Sequence, residues 1–124
     1  MSPLAWAAFV AAGAIGAPVR YLVDGAVGER TEGVFPWGTF LVNASGSLLL
    51  GFLTGLALYH AFPKTPKVVL GTGFCGAYTT FSTFTFETVR LVEEGAINEA
   101  FRNALGALLT CTVAAALGVA LAAL

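Results

Sequence analysis

The sequence predicts an all-α membrane protein: one four-transmembrane-helix domain with a broken third helix, assembled as an antiparallel, dual-topology homodimer. Three observations carry this expectation. The first is composition. Of 124 residues, 57% are hydrophobic and only 10% charged, with a mean hydropathy of +0.83, which is too apolar for a soluble domain of this size. The second is that the charges cluster, leaving uncharged stretches over Ser2 to Val19, from Gly33 up to Lys64, over Val68 to Phe86 and over Asn103 to Leu124. Each is near or above the roughly 18 residues that cross a bilayer as a helix. The third is the run Gly71 to Glu87, GTGFCGAYTTFSTFTFE, which mixes three glycines and four phenylalanines with a series of hydroxyl side chains. In hydrocarbon a backbone must satisfy its own polar groups, so glycines and hydroxyls at mid-depth predict a helix that breaks where protein shields it or where it lines a polar path.

In chain order the spans are expected over 3–22, 35–60, 67–92 and 99–123, with the helix break near 76–80, all within a single domain over 1–124. The first span lacks a basic leader and runs into Gly-Ala-Pro-Val-Arg-Tyr instead of a small-residue cleavage site, so it reads as a membrane helix and not a secretory signal. Its Gly13, Gly16, Ala17 and Arg20 recur at three- and four-residue intervals and share a face. Arg20 either snorkels to the interface or forms an electropositive vestibule.

In the second span Thr39, Asn43, Ser47, Gly51 and Gly55 repeat every four residues, polar at one end and small at the other. Ser47, Gly51 and Gly55 are expected to let another helix approach closely. Asn43 needs partners at its depth and is either a cross-helix hydrogen bond or an anion ligand. The third span opens at Lys64, Pro66 and Lys67. Beyond its break Phe81 and Phe84 share a face, while Ser82, Thr83 and Thr85 supply hydroxyls. Glu87 ends the segment as a membrane-edge carboxylate expected to partner Arg90, and Asn98 is a candidate cap for the last span. That span carries Asn103, Ala107, Thr110, Cys111, Ala114 and Gly118 along one side. Cys75 and Cys111 both fall inside spans and read as buried thiols.

With four spans, Lys64 and Lys67 lie on one side of the membrane, against Arg30, Arg90 and Arg102 on the other, with Arg20 near the edge. Positive charge in cytoplasmic loops normally sets orientation, so this near-balance leaves insertion almost undirected. Chains inserted both ways up pair about an axis in the membrane plane. A bundle this small has little interior of its own, which also favours a second copy.

The chemistry available excludes several classes. There is no Ser-His-Asp set, no carboxylate pair within a span, no phosphate loop and one histidine at a helix end, so the chain does not read as an enzyme. A net charge of -1 without a basic cluster argues against nucleic acid. A transporter of cations would be expected to bury an acidic residue, yet every Asp and Glu lies at or beyond a span end. The interior offers neutral donors instead: the Asn43 amide, the hydroxyls of Thr39, Ser82, Thr83 and Thr110, and the positive ring edges of Phe81 and Phe84. A small anion fits such a lining. Carbonyls freed near Gly76 and Thr79 would suit a structural monovalent cation, presented twice in a two-fold dimer. A small exporter of cationic drugs and a non-transporting membrane subunit are the alternatives.

The set Gly13-x-x-Gly16-x-x-x-Arg20-Tyr21, then Pro36-Trp37-Gly38-Thr39-Phe40-Leu41-Val42-Asn43 with Gly46 and Gly51, then Gly73-Phe74-Cys75-Gly76-Ala77-Tyr78-Thr79-Thr80-Phe81-Ser82-Thr83-Phe84 ahead of Glu87, strongly resembles the Fluc (CrcB) family of bacterial fluoride channels. The resemblance implies a multi-pass channel of the cell inner (plasma) membrane, an antiparallel homodimer with two pores that passively exports fluoride trapped as the anion at cytoplasmic pH. It places Asn43, Phe81 and Phe84 in the pore, with Ser82 and Thr83 as neighbouring lining. It puts a central sodium on the backbone carbonyls of Gly76 and Thr79, and aligns Arg20 and Glu87 with a family arginine and acid. The chain departs from the pattern at Ala77, where many members carry a second glycine, and at Asn103, where a tyrosine is common.

Overall fold

A computed structural model describes residues 1–124 and contains helices joined by short turns, without a strand. Helix α1 runs over Pro3–Arg30. Ser2 caps it by accepting from the Ala5 amide at 3.1 Å, and Pro3 fills a first-turn position where its missing N–H costs nothing. The helix passes the expected end at residue 22 because nothing after it stops a helix. Its last turn is closed by Arg30 Nη1 donating to the Ala26 carbonyl at 3.1 Å and Thr31 Oγ1 donating to the Val27 carbonyl at 3.0 Å.

Helices α2, Trp37–Tyr59, and α6, Ile97–Ala122, form the most extensive pair in the molecule. Their small residues explain the approach. A methyl on Gly55 would sit 2.8 Å from the Val119 carbonyl oxygen; one on Gly51 would overlap the Ala115 carbonyl, and one on Gly118 the Leu48 carbonyl. Gly51 and Gly55 thus do what their spacing predicts, and α6 answers with Ala115, Gly118, Val119 and Ala122. At the far end His60 Nε2 meets the Ala122 carbonyl at 2.7 Å, tying the C-termini of α2 and α6 together. Asn98 lies inside α6, whose N-cap is Ala96, so Asn98 does not take the capping position expected of it.

Between these helices the chain is irregular. Helix α3, Lys64–Lys67, continues as a π-helical stretch Val68–Cys75 and then α4, Gly76–Tyr78, in one right-handed run. The π-helical turns are wide, and their glycines admit α1: a methyl on Gly73 would lie 3.1 Å from the Phe9 carbonyl oxygen, and one on Gly16 2.6 Å from that of Phe74. The chain then leaves helical geometry at Thr79, with φ -78° and ψ 161°, and resumes as α5, Ser82–Glu93. Gly76 is still helical, at φ -62° and ψ -35°, so the break expected near 76–80 is centred a little later, on Thr79 to Phe81. Gly95, at φ 80°, turns the chain from α5 into α6. Helices α1, α2 and α6 are each long and apolar enough to cross a membrane, and the segment from Lys64 to Glu93 is divided in two by the break.

Candidate functional site around the helix break

A helix that stops inside a bundle frees backbone groups, and here α2 supplies the replacement. Asn43 Nδ2 donates to the Thr80 carbonyl at 2.8 Å, and the Thr80 amide donates to Asn43 Oδ1, also at 2.8 Å. One side chain therefore satisfies both backbone groups of the central residue in the break. Of the two alternatives for Asn43, the cross-helix bond is present, and it leaves the second N–H of the amide without a protein partner. Gly46, one turn along α2, makes room for this: a methyl there would overlap Thr79 Cγ2.

The Thr80 amide would otherwise close a helical turn on the Gly76 carbonyl, but it is committed to Asn43. The Thr83 amide, which would close on the Thr79 carbonyl, goes instead to Thr80 Oγ1 at 3.2 Å. Gly76 and Thr79, the two residues singled out for their carbonyls, thus both lose their i+4 donors. Thr80 Oγ1 also lies 3.2 Å from Thr83 Oγ1 and 3.3 Å from Ser82 Oγ, so three hydroxyls are contiguous at the start of α5. Cys75 keeps its carbonyl engaged by the Thr79 amide at 2.9 Å and Thr79 Oγ1 at 2.8 Å.

Further along α5, Glu87 accepts a short hydrogen bond from Thr39 Oγ1 on α2. This corrects the expected Glu87–Arg90 pair: Arg90 Nε instead lies 3.4 Å from Glu94 Oε1 on the exposed side. Glu87 faces the packed side of α5, where the buried Thr39 hydroxyl is the nearer partner. Arg20, half-buried on α1, shares a pocket of about 220 Å³ with Asp24, Thr39, Thr80 and Thr83. The guanidinium therefore stands beside the hydroxyl series.

On the other side of the break lies an open cavity of about 820 Å³, lined among others by Asn43, Ser47, Gly76, Thr79, Phe81 and Phe84. Phe81 and Phe84 are neighbours, with ring centroids 5.8 Å apart and planes at 40°. Phe81 is 77% exposed, an unusual state for an aromatic side chain next to backbone polar groups. Helix α6 contributes Ala104, Ala107 and Cys111 to this cavity; Thr110 is not among its lining. Sequence reasoning missed two cross-links. Asn103, only 1% exposed, donates from Nδ2 to Thr88 Oγ1 at 2.8 Å, fixing α6 on α5. Ser45 on α2 and Tyr78 at the end of α4 share a hydroxyl bond of 2.9 Å just before the break. Both join residues remote in sequence; the signal for Asn103 was an amide on the small side of an apolar helix.

Long apolar helices around a break lined by neutral hydroxyl, amide and carbonyl groups define a multi-pass membrane protein that keeps its polar chemistry inside its spans. The family model described as "CrcB-like protein, Camphor Resistance (CrcB)" matches residues 7–119, and the chain belongs to that family. A protein of Frankia casuarinae called Fluoride-specific ion channel FluC 1 is 51% identical over 94% of this chain and 95% of its own length. Its namesake in Streptomyces avermitilis is 47% identical over 94% of this chain and 90% of its own length. A FluC 2 from Moorella thermoacetica is 42% identical, with 93% of each chain covered.

Proposed function

We propose that the protein is a fluoride-selective ion channel that lets fluoride leave the cell passively, and that it is not an enzyme. The single observation behind the mechanism is the break at Thr79 to Phe81, held open by Asn43, in a chain whose relatives are named for fluoride conduction. Fluoride is small and strongly hydrated, so a pathway must replace its water with donors that are numerous yet individually weak. The free N–H of Asn43, the Ser82 and Thr83 hydroxyls and the ring edges of Phe81 and Phe84 are such donors, whereas the Thr39 proton is already given to Glu87 and Thr39 offers the pathway only its oxygen and methyl. None bears a full positive charge that would hold the ion and stop it from leaving. Arg20, in its pocket beside the hydroxyls, raises the local concentration of anions at an entrance, and Glu87 fixes the Thr39 hydroxyl.

In this reading the segment from Lys64 to Glu93 crosses the membrane as two half-helices, giving four crossings. Two chains associate antiparallel in the lipid bilayer of the cell inner membrane, each inserted in the opposite sense. The high exposure of Phe81 and the open side of the Asn43 cavity support a second copy there. The Gly76 and Thr79 carbonyls, lacking their i+4 donors, are neutral hard oxygens suited to a structural sodium ion between the two copies.

Reconstituted in liposomes, the protein should release fluoride to an electrode while retaining chloride; equal release of both defeats the selectivity. Phe81→Ile and Phe84→Ile should each lower fluoride release by at least about ten-fold, the loss of roughly 1.4 kcal/mol of transit stabilisation, with the dimer intact on size-exclusion. Unchanged release would remove the rings from the pathway.

A further inference from the structure

We infer that the cleft between the N-terminal ends of α2 and α6 is a docking site for one anionic phospholipid. The cleft, about 450 Å³, is lined by Phe35, Trp37, Phe40, Phe101, Arg102 and Leu105, with Gly106 in its wall; of these only Leu105 also borders the cavity beside the helix break. Its aromatic part is pre-assembled: the Phe35 ring lies 4.6 Å from Trp37 and 5.6 Å from Phe40, centroid to centroid. Arg102 is set over the Phe35 ring at 5.4 Å and has no carboxylate partner, since the one salt bridge of the chain joins Arg90 to Glu94. A guanidinium held by an aromatic face keeps its outer N–H groups free for a planar or tetrahedral oxyanion, and phosphate is the group it matches.

Charge complementarity therefore calls for an anion at the mouth, and the remainder of the cleft calls for hydrocarbon. Phe101 is 64% and Leu105 52% exposed, and leucines 108 and 109 further along α6 are exposed as well. Arg102 stands in the second turn of α6, close enough to its N-terminal end to reach a headgroup layer there, and aromatic side chains such as those beside it gather at that level of a bilayer. A soluble anion would use only the guanidinium. A lipid uses both halves. Gly106 keeps the floor open, because the Phe40 ring lies 3.6 Å from where its methyl would be. The arginine and the aromatic rings of the cleft do not line the cavity beside the break, so this inference does not rest on fluoride conduction.

The test is native mass spectrometry of the intact protein purified with equal amounts of phosphatidylglycerol and phosphatidylcholine of the same acyl chains. Wild-type protein should retain phosphatidylglycerol over phosphatidylcholine, and Arg102→Gln should lower phosphatidylglycerol occupancy about five-fold, the effect of one basic side chain at a lipid surface, while leaving phosphatidylcholine unchanged. Gly106→Leu should lower occupancy by filling the cleft with the arginine still present. Equal retention of the two lipids by the wild type, which needs no variant, would overturn the proposal. So would unchanged phosphatidylglycerol occupancy in Arg102→Gln, or displacement of the lipid by millimolar inorganic phosphate, which would mark a site for soluble anions. Fluoride release by Arg102→Gln should stay at the wild-type level, separating this site from the conduction pathway.

Discussion

Asn43 is bound at both ends of its amide to Thr80, and its substitutions separate structure from transit. Asn43→Ala leaves a buried N–H and C=O unpaired, at about 1–3 kcal/mol each, and should lower the unfolding temperature in detergent and abolish fluoride release together. Asn43→Asp preserves the acceptor for the Thr80 amide but sets an oxygen against the Thr80 carbonyl, so release should fall at least as far, with a smaller loss of stability; equal stability loss in both variants would refute this division. Asn43 could be marked from sequence because an amide at mid-depth of an apolar span needs partners, and its bonds to Thr80 are present; the spacing of Phe81 and Phe84 by itself reads as core packing, and their assignment to the pore comes from the family resemblance. The Thr39–Glu87 bond could not be marked from sequence. Local spacing offers Glu87 the arginine three residues on, whereas its partner is 48 residues away and only the packing of α5 on α2 brings it there.

Among the elements, the α2–α6 pair and the broken segment contrast in what their sequences disclose. The four-residue stripe through Gly51 and Gly55 announces a close helix contact, and the contact is present. Gly51→Ala should therefore force α2 and α6 apart and lower stability by about 1–3 kcal/mol, the usual cost of overpacking. Gly25→Ala, where a methyl meets nothing within 4 Å, should be neutral or raise stability by up to about 1 kcal/mol by favouring the helix. Thermal unfolding of the two variants compares them directly. The π-helical stretch Val68–Cys75 was not legible, because glycines every two or three residues are compatible with either helical pitch. What accompanies the wide turns is tertiary: the backbone of α1 lies against Gly73 and Phe74, a contact that no periodicity of the segment itself records.

For the whole molecule, the balanced distribution of Lys and Arg between the two ends leads to two predictions about the proposed dimer. Adding three arginines near residue 62 should fix one orientation, read by labelling of a terminal cysteine from one side only, and should lower fluoride release several-fold. Co-expression with a chain carrying the arginines near residue 32 should restore it; failure to restore would argue against antiparallel pairing. Replacing sodium by N-methylglucamine throughout purification should shift the dimer toward monomer on size-exclusion if the Gly76 and Thr79 carbonyls hold that ion, and an unchanged profile would remove it from the assembly. Apolar content and charge clustering make the membrane class readable from sequence, while the relation between copies is not, since it depends on two surfaces meeting that each chain merely exposes.

The interruption at Thr79 to Phe81 has an electrostatic consequence of its own. Peptide dipoles in Lys64–Tyr78 sum toward a negative pole at its last carbonyls, and those of Ser82–Glu93 toward a positive pole at its first amides. Cutting one rod in two therefore brings both poles to the interruption. Both poles belong to peptide groups that do not titrate, so the field at the interruption is of fractional strength and no change of pH can switch it off.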